Sequence, residues 1–249
     1  MKLFCLTDLH LEFNREYSCI DKTINKLFNH NLDYDYIVLS GDIDILPFLA
    51  GTLEKIQIIS KKPIIYVVGN HEFYNYSKED VDKELNNIST KHENIIILNR
   101  SVYETGDYVF IGATGWYDGS NGELQTGSQM KLNDYRLILN QNIMQWGLDD
   151  RKFFENKLNY YHVKEHKKII CVTHNPPLPK LKRIDNLDAF FRNDWEFMIY
   201  NYDPIAWICG HTHDSMDFTI NNCRMINNPK GYYLHGENEM FNQELIVGV

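Results

Sequence analysis

Five short apolar runs in this chain stop abruptly at residues able to do chemistry. Residues 2–6 (KLFCL) lead into Asp8-Leu9-His10, and 36–40 (YIVLS) into Gly41-Asp42. Residues 63–68 (PIIYVV) lead into Gly69-Asn70-His71-Glu72. Residues 168–173 (KIICVT) end at Thr173-His174-Asn175, and 204–209 (PIAWIC) at Gly210-His211-Thr212-His213. Continuous runs of this length, bounded by Gly, Pro or Asp, suit strands buried on both faces. Segments of helical length and mixed polarity, roughly 19–30 and 48–60, separate the first three runs. Strand, helix, strand in repetition predicts βαβ units and a parallel sheet.

A helix is expected over roughly 77–91, with Ser77 as its cap and Glu79 and Asp80 in its first turn. Short strands are expected at 94–98, 101–104 and 107–113. The stretch from Gly115 to Asn133 holds four glycines and little periodicity, and reads as a long surface loop. A helix is expected over 142–163, with Phe153, Phe154, Leu158 and Tyr161 as its buried stripe. Residues 215–220 and 223–227 form an antiparallel hairpin turning at Asn221-Asn222. Without a linker, repeat or low-complexity tract, residues 1–249 read as one domain. It is of the α/β class, with two sheets face to face and helices outside.

The chain has 25 basic and 34 acidic residues, a net charge of −9. An acidic balance argues against non-specific binding to nucleic acid, which relies on clustered Lys and Arg. The cysteines (Cys5, Cys19, Cys171, Cys209, Cys223) are odd in number and form no CxxC pair, as expected of free thiols in a reducing compartment. The N-terminus shows no secretory pattern, and no apolar stretch approaches the ~20 residues of a membrane span. A cytoplasmic protein without a membrane partner is the resulting expectation. P-loop, GxGxxG and GxSxG motifs are all absent.

Taken singly, each motif is an ordinary turn or loop histidine. Together, in this order and all at strand ends, they supply two Asp, two Asn and five His. Ligands gather where the strands of α/β sheets end. A mixture of carboxylate, imidazole and amide donors suits Mn, Fe, Zn or Ni better than Ca or Mg. Two such ions ~3.5–4 Å apart activate a bridging water and draw charge from phosphate oxygens. A nearby protonated His can then donate to the leaving oxygen.

The ordered set DLH, GD, GNHE, THNPP and GHTH resembles the calcineurin-like metallophosphoesterase superfamily, over positions 8 to 213. The resemblance implies a four-layer αββα sandwich of two mixed sheets around a dinuclear centre. It implies that Asp8, His10 and His213 hold one metal, that Asn70, His174 and His211 hold the other, and that Asp42 bridges them. His71 would be the general acid. The stretches Ile111–Trp116 and Asn133–Leu137 are similar to a bacterial and phage branch of that superfamily. In the protein phosphatase branch the second motif extends to GDxxDRG. Here Gly41-Asp42-Ile43-Asp44-Ile45-Leu46-Pro47 places the second Asp one position early and lacks the Arg. Phosphoprotein phosphatase activity is thereby disfavoured, and Asp44 is the nearest candidate to orient His71.

Arg136 offers a guanidinium for bidentate phosphate binding. Asn175 is a further candidate substrate contact, and Trp116 and Tyr117 are candidates for stacking on a ring. The expected activity is hydrolysis of a phosphomonoester or phosphodiester of a small or nucleotide-like molecule, with two divalent ions, Mn²⁺ foremost. The alternatives are a nuclease and a non-catalytic metal-binding scaffold.

Overall fold

The computed structural model describes residues 1–122, 127, 129–179 and 187–249. The first half of the chain runs β1 (Lys2–Leu6), α1 (Leu11–Glu16), α2 (Ile20–Phe28), β2 (Tyr36–Ser40), α3 (Leu46–Ser60), β3 (Ile64–Val67), α4 (Lys78–Lys91) and β4 (Ile95–Ile97). It continues with β5 (Ser101–Thr105), β6 (Tyr108–Gly112), α5 (Asn133–Leu137), α6 (Ile143–Tyr160), β7 (Lys168–Val172), α7 (Glu196–Tyr202) and β8 (Ala206–Cys209). The hairpin β9 (Met216–Ile220) and β10 (Cys223–Asn227) follows. The chain closes with the short pair β11 (Gly231–Tyr232) and β12 (Gly236–Glu237), and then β13 (Ile246–Gly248).

The strands form two mixed sheets. One has the order β13-β1-β2-β3-β4, with β13 antiparallel to β1 and the other pairs parallel. The other has the order β5-β6-β7-β8-β10-β9, antiparallel at both edges and parallel between them. Alternation along each strand explains the layering. Leu3, Cys5, Val38, Ile65 and Val67 of the first sheet meet Phe110, Ile170, Val172, Ala206, Ile208 and Ile226 of the second. The intervening residues Phe4, Leu6, Ile37, Leu39, Ile64 and Tyr66 face a helical layer that includes Leu49, Leu53, Val81 and Leu85. On the far side, Val109, Ile111, Ile169, Cys171 and Trp207 face Phe154, Leu158, Met198 and Ile199. The result is the four-layer αββα sandwich, and the central strands read as continuous apolar runs because both of their faces are covered.

The helix starts follow local chemistry. Pro47 lies in the first turn of α3, where its missing N–H costs nothing. Ser77 caps α4 in a capping box with Asp80. Among the described residues no helix is long and apolar enough to cross a membrane. All five cysteines are free, and only Cys19 is not buried.

Some expectations change. The helix expected to reach 163 stops at Tyr160, where one π-turn (Tyr161–Glu165) ends at His166 with a left-handed φ of 50°. Phe153 is only partly buried, and Ile143, Trp146 and Gly147 extend the buried stripe instead. The expected surface loop from Gly115 begins in the interior, since Trp116, Tyr117 and Asp118 are buried. Its backbone groups therefore need partners inside the protein. Asp150 Oδ2 accepts from the N–H groups of Gly115 (2.9 Å) and Trp116 (3.1 Å). The Asn193 amide donates to both of their carbonyls, at 2.8 and 3.2 Å. Positions 123–126 and 128 of that loop lie outside the described residues.

Candidate metal centre

The five motifs converge because their loops bond to one another beyond the strand ends. Asp8 N–H donates to the Gly41 carbonyl at 3.1 Å, His10 N–H to that of Asp42 at 3.0 Å, and Gly210 N–H to that of His174 at 2.8 Å. Across the two sheets, Ser40 Oγ donates to the Cys209 carbonyl at 3.0 Å. The glycines permit this crowding. A Cβ on Gly41, which has a φ of 94°, would lie 2.4 Å from His174 Nδ1. One on Gly69 would lie 2.2 Å from Asp42 Oδ1.

Two groups of donors share Asp42. On one side His10 Nε2 is 3.0 Å from His213 Nε2 and 3.8 Å from Asp42 Oδ2, while His213 Nε2 is 3.3 Å from Asp8 Oδ1. On the other, His174 Nε2 is 2.9 Å from Asn70 Oδ1, 3.2 Å from His211 Nδ1 and 3.4 Å from Asp42 Oδ2. His211 Nδ1 is 3.1 Å from Asn70 Oδ1. Asp8, His10, Asp42, Asn70 and His174 are buried.

The outer hydrogen bonds decide which atoms face inward. His174 Nδ1 donates to the Ser40 carbonyl at 2.8 Å, which leaves the Nε2 lone pair facing the group. Asn70 Nδ2 donates to Asp134 Oδ1 at 2.9 Å and to Tyr74 Oη at 2.8 Å, so its Oδ1 turns inward. Glu72 is buried and accepts from the N–H groups of Asp42 (3.2 Å), Ile43 (2.8 Å) and Gly69 (2.9 Å), tying the second motif to the third. With His174 singly protonated, acceptor atoms converge on acceptor atoms at 2.9 to 3.4 Å, so the site needs either a second proton on that ring or a cation. A positive charge resolves such an arrangement, and this mixture of N and O donors fits a divalent transition metal. The triads Asp8–His10–His213 and Asp42–His174–His211 each bring their ligand atoms within 4.8 Å of one another.

The same field acts on protons. Burial alone would lower the His174 imidazole, but the Asp42 and Asp8 carboxylates outweigh it and push it up to about 10. His211, buried beside that charge, is pushed down to about 3. Against its own burial, Asp42 is held well below the usual carboxylate range by His174 and His71. Burial also opposes the charge on His71, yet Asp42 and Glu12 raise it to about 9. The pocket is one of strong negative potential, which a bound cation also answers.

Residues 1–215 match the calcineurin-like phosphoesterase family. The chain belongs to that family. It is a metal-dependent phosphoesterase by descent and by donor set. It is 32% identical to the uncharacterised protein L509 of Acanthamoeba polyphaga mimivirus, over 91% of this chain and 90% of that protein. Its fold is similar to that of the phosphopantetheinyl hydrolase PptH from Mycobacterium tuberculosis. The TM-score is 0.73 at 15% identity, covering 93% of this chain and 89% of that one. A dimetal phosphatase from Danio rerio is similar with a TM-score of 0.51 at 13% identity, covering 91% of this chain and 86% of that one.

In this calcineurin-like phosphoesterase a cavity of about 720 Å³ opens beside the donor groups, lined by Asp42, Asn70, His71, His211 and His213. The candidate substrate contacts do not reach it. Arg136 is exposed on α5 and is not among its lining residues, because the helix turns Asp134 inward to Asn70 instead. Trp116 is a packing residue, edge-on to Phe73 with ring centroids 5.2 Å apart and beside Trp146 at 5.6 Å. Tyr117 packs on Phe190 at 5.2 Å. Asn175 is buried, its N–H bonded to the Thr114 carbonyl, and it also lies outside the lining. Asp44 does not orient His71. It is bonded to Arg15 and to Thr52 Oγ1 instead.

The cavity brings in residues outside the motifs. Arg192 is buried, with Nη2 3.0 Å from Asp214 Oδ2, and follows directly on a short 3-10 helix (Asp188–Phe191). Tyr232 packs on His10 at 4.4 Å and His213 at 4.7 Å. Glu12 contacts both His10 and His71. Arg192 and Tyr232 stand in segments with no sequence signal. Glu12, two residues after His10, was legible only as an extension of Asp8-Leu9-His10.

Proposed function

We propose that this phosphoesterase hydrolyses the phosphate ester of a small or nucleotide-like molecule, with two divalent cations, Mn²⁺ foremost. Asp8, His10 and His213 hold one cation, Asn70, His174 and His211 the other, and Asp42 faces both. When bound, the pair of cations ionises a water near neutral pH and withdraws charge from the phosphate oxygens. The observation that carries this reading is the sharing of Asp42 between two groups of inward-facing acceptors.

The chain's own residues supply the rest. His71 lines the cavity with Nε2 3.9 Å from Asp42 Oδ2, and its imidazolium is favoured, so it is the proton donor to the leaving oxygen. Arg192, which lines this wall together with Lys131, can meet a phosphate or a second anionic group with its planar guanidinium, in the role first expected of Arg136. Phe13, Phe191 and Tyr232 give the cavity apolar walls, and its volume is that of a small-molecule site.

Purified protein supplemented with Mn²⁺ is expected to turn over p-nitrophenyl phosphate or its bis-ester. The preferred ester then selects the nucleotides and other phosphate esters to screen. Asp42→Asn should reduce this turnover to background. Full activity in the Asp42→Asn protein would refute the reading.

A further inference from the structure

Glu12 belongs to none of the five motifs, yet its carboxylate lies between two of their rings. A single oxygen, Oε1, is 3.1 Å from His10 Nδ1 and 3.0 Å from His71 Nδ1. A carboxylate only accepts, so both ring nitrogens carry hydrogen and donate. Each ring is left with Nε2 pointing inward, 3.8 Å and 3.9 Å from the same Asp42 oxygen. The two rings stand edge to face with centroids 4.4 Å apart. Without the shared acceptor, either ring can turn over about its last side-chain bond, which puts carbon where each nitrogen stood, or in its neutral form move its hydrogen from Nδ1 to Nε2.

The backbone holds Glu12 in place. His10, with a φ of 45°, starts α1, and Glu12 lies in the first turn of that helix. Leu11 N–H donates to the Ile43 carbonyl, pinning the turn to the Asp42 loop. The Glu12 side chain is 14% exposed. Asp44 is committed to Arg15 and Thr52, which leaves Glu12 as the carboxylate on His71 Nδ1.

We propose that Glu12 is a positioning residue that holds the Nδ1 hydrogen and the orientation of His10 and His71 together through one oxygen. Cation binding at Asp8, His10 and His213 and proton delivery to the leaving oxygen then depend on the same carboxylate. The part concerning proton delivery rests on the phosphoesterase reading above. The part concerning ring orientation does not.

The test uses the full chain with Glu12→Ala, Glu12→Met and Glu12→Gln. Methionine keeps the length without an acceptor and serves if truncation unfolds the protein. Glutamine restores an acceptor oxygen. Imidazole ¹⁵N NMR of the metal-free protein reads which ring nitrogens carry hydrogen. Titration with Mn²⁺ reads the affinity. Steady-state kinetics on phenyl and p-nitrophenyl phosphate read the dependence on the leaving group.

Glu12→Ala and Glu12→Met should lose the fixed Nδ1–H form of both rings and weaken Mn²⁺ binding by ~10–100-fold. Their kcat should fall by ~10²-fold on phenyl phosphate and clearly less on p-nitrophenyl phosphate, which needs little proton assistance. Glu12→Gln should recover the ring signals and most of the affinity. Unchanged ring signals and affinity in Glu12→Ala and Glu12→Met overturn the proposal, as does a Glu12→Gln protein no better than Glu12→Met. If the unsubstituted protein hydrolyses no ester, the phosphoesterase reading fails, while the NMR and Mn²⁺ arms still decide the role of Glu12.

Discussion

Single residues of the candidate centre adopt backbone that ordinary side chains avoid. Asp8, His10, Asp42, His211 and His213 have φ between 45° and 72°. Each such non-glycine residue costs on the order of 1–2 kcal/mol, and strain of this kind clusters at functional sites. A left-handed residue just after a strand turns the chain sharply, and here two side chains from one short motif reach the same spot. Another residue stores cost as charge. Burial pushes the Asp150 carboxyl up to about 6, although Arg100 Nε is 3.1 Å away. The folded value lies above the ordinary one of 3.8, so the folded protein keeps a proton that the unfolded chain has released. The stabilisation from that proton is complete below the unfolded value and is lost as pH rises through the folded one, a loss of about 3 kcal/mol. Asp150→Asn should therefore show a smaller fall in stability between about pH 4 and pH 6 in urea titrations at each pH. Parallel curves for the two proteins would contradict the account. The candidate metal donors were readable in the sequence because each motif follows an apolar run. Arg192 was not, since it stands next to no such run, and Arg136 drew attention by composition although its helix turns it to solvent.

The elements legible in the sequence were those covered on both faces. β1, β2, β3, β7 and β8 read as unbroken apolar runs because the helices and the opposing sheet leave no solvent face. α1 was missed because its six residues give barely more than one turn of periodicity. β11 and β12 have two residues each, and β13 is defined by pairing with β1 at the other end of the chain, a contact that no local pattern announces. α4 shows the opposite case, with its start written into Ser77. Asp80 N–H donates to Ser77 Oγ at 3.2 Å, and Ser77 N–H donates to Asp80 Oδ2 at 3.0 Å. Ser77→Ala should cost about 1 kcal/mol and lower the thermal midpoint by about 2–4 °C. Scanning calorimetry would check it, and an unchanged midpoint would mean that the backbone bridge from Ser77 to Leu139, just beyond α5, already holds this turn.

For the whole molecule, the candidate centre lies at the seam between the sheets. The first sheet contributes Asp8, His10, Asp42 and Asn70, and the second contributes His174, His211 and His213. Cations held by both groups would tie the two halves of the sandwich together, and a ligand that binds only the folded state stabilises it by mass action. Mn²⁺ at 100 times its Kd should raise the thermal midpoint by about 5 °C or more over protein kept in excess chelator. Asp42→Asn should blunt that rise, and an equal rise in both proteins would place the stabilising ion elsewhere. The seam also orders events during synthesis. Asn70 leaves the ribosome 143 residues before His213. At ordinary translation speeds that interval is on the order of ten seconds. Until His174 follows, 104 residues after Asn70, the nascent chain offers Asp8, His10, Asp42, Asn70 and His71 without any of the three histidines of the second sheet. Under the proposed reading, selection among competing ions is deferred until both groups of donors are present, and a half-made chain has little means of trapping the wrong one.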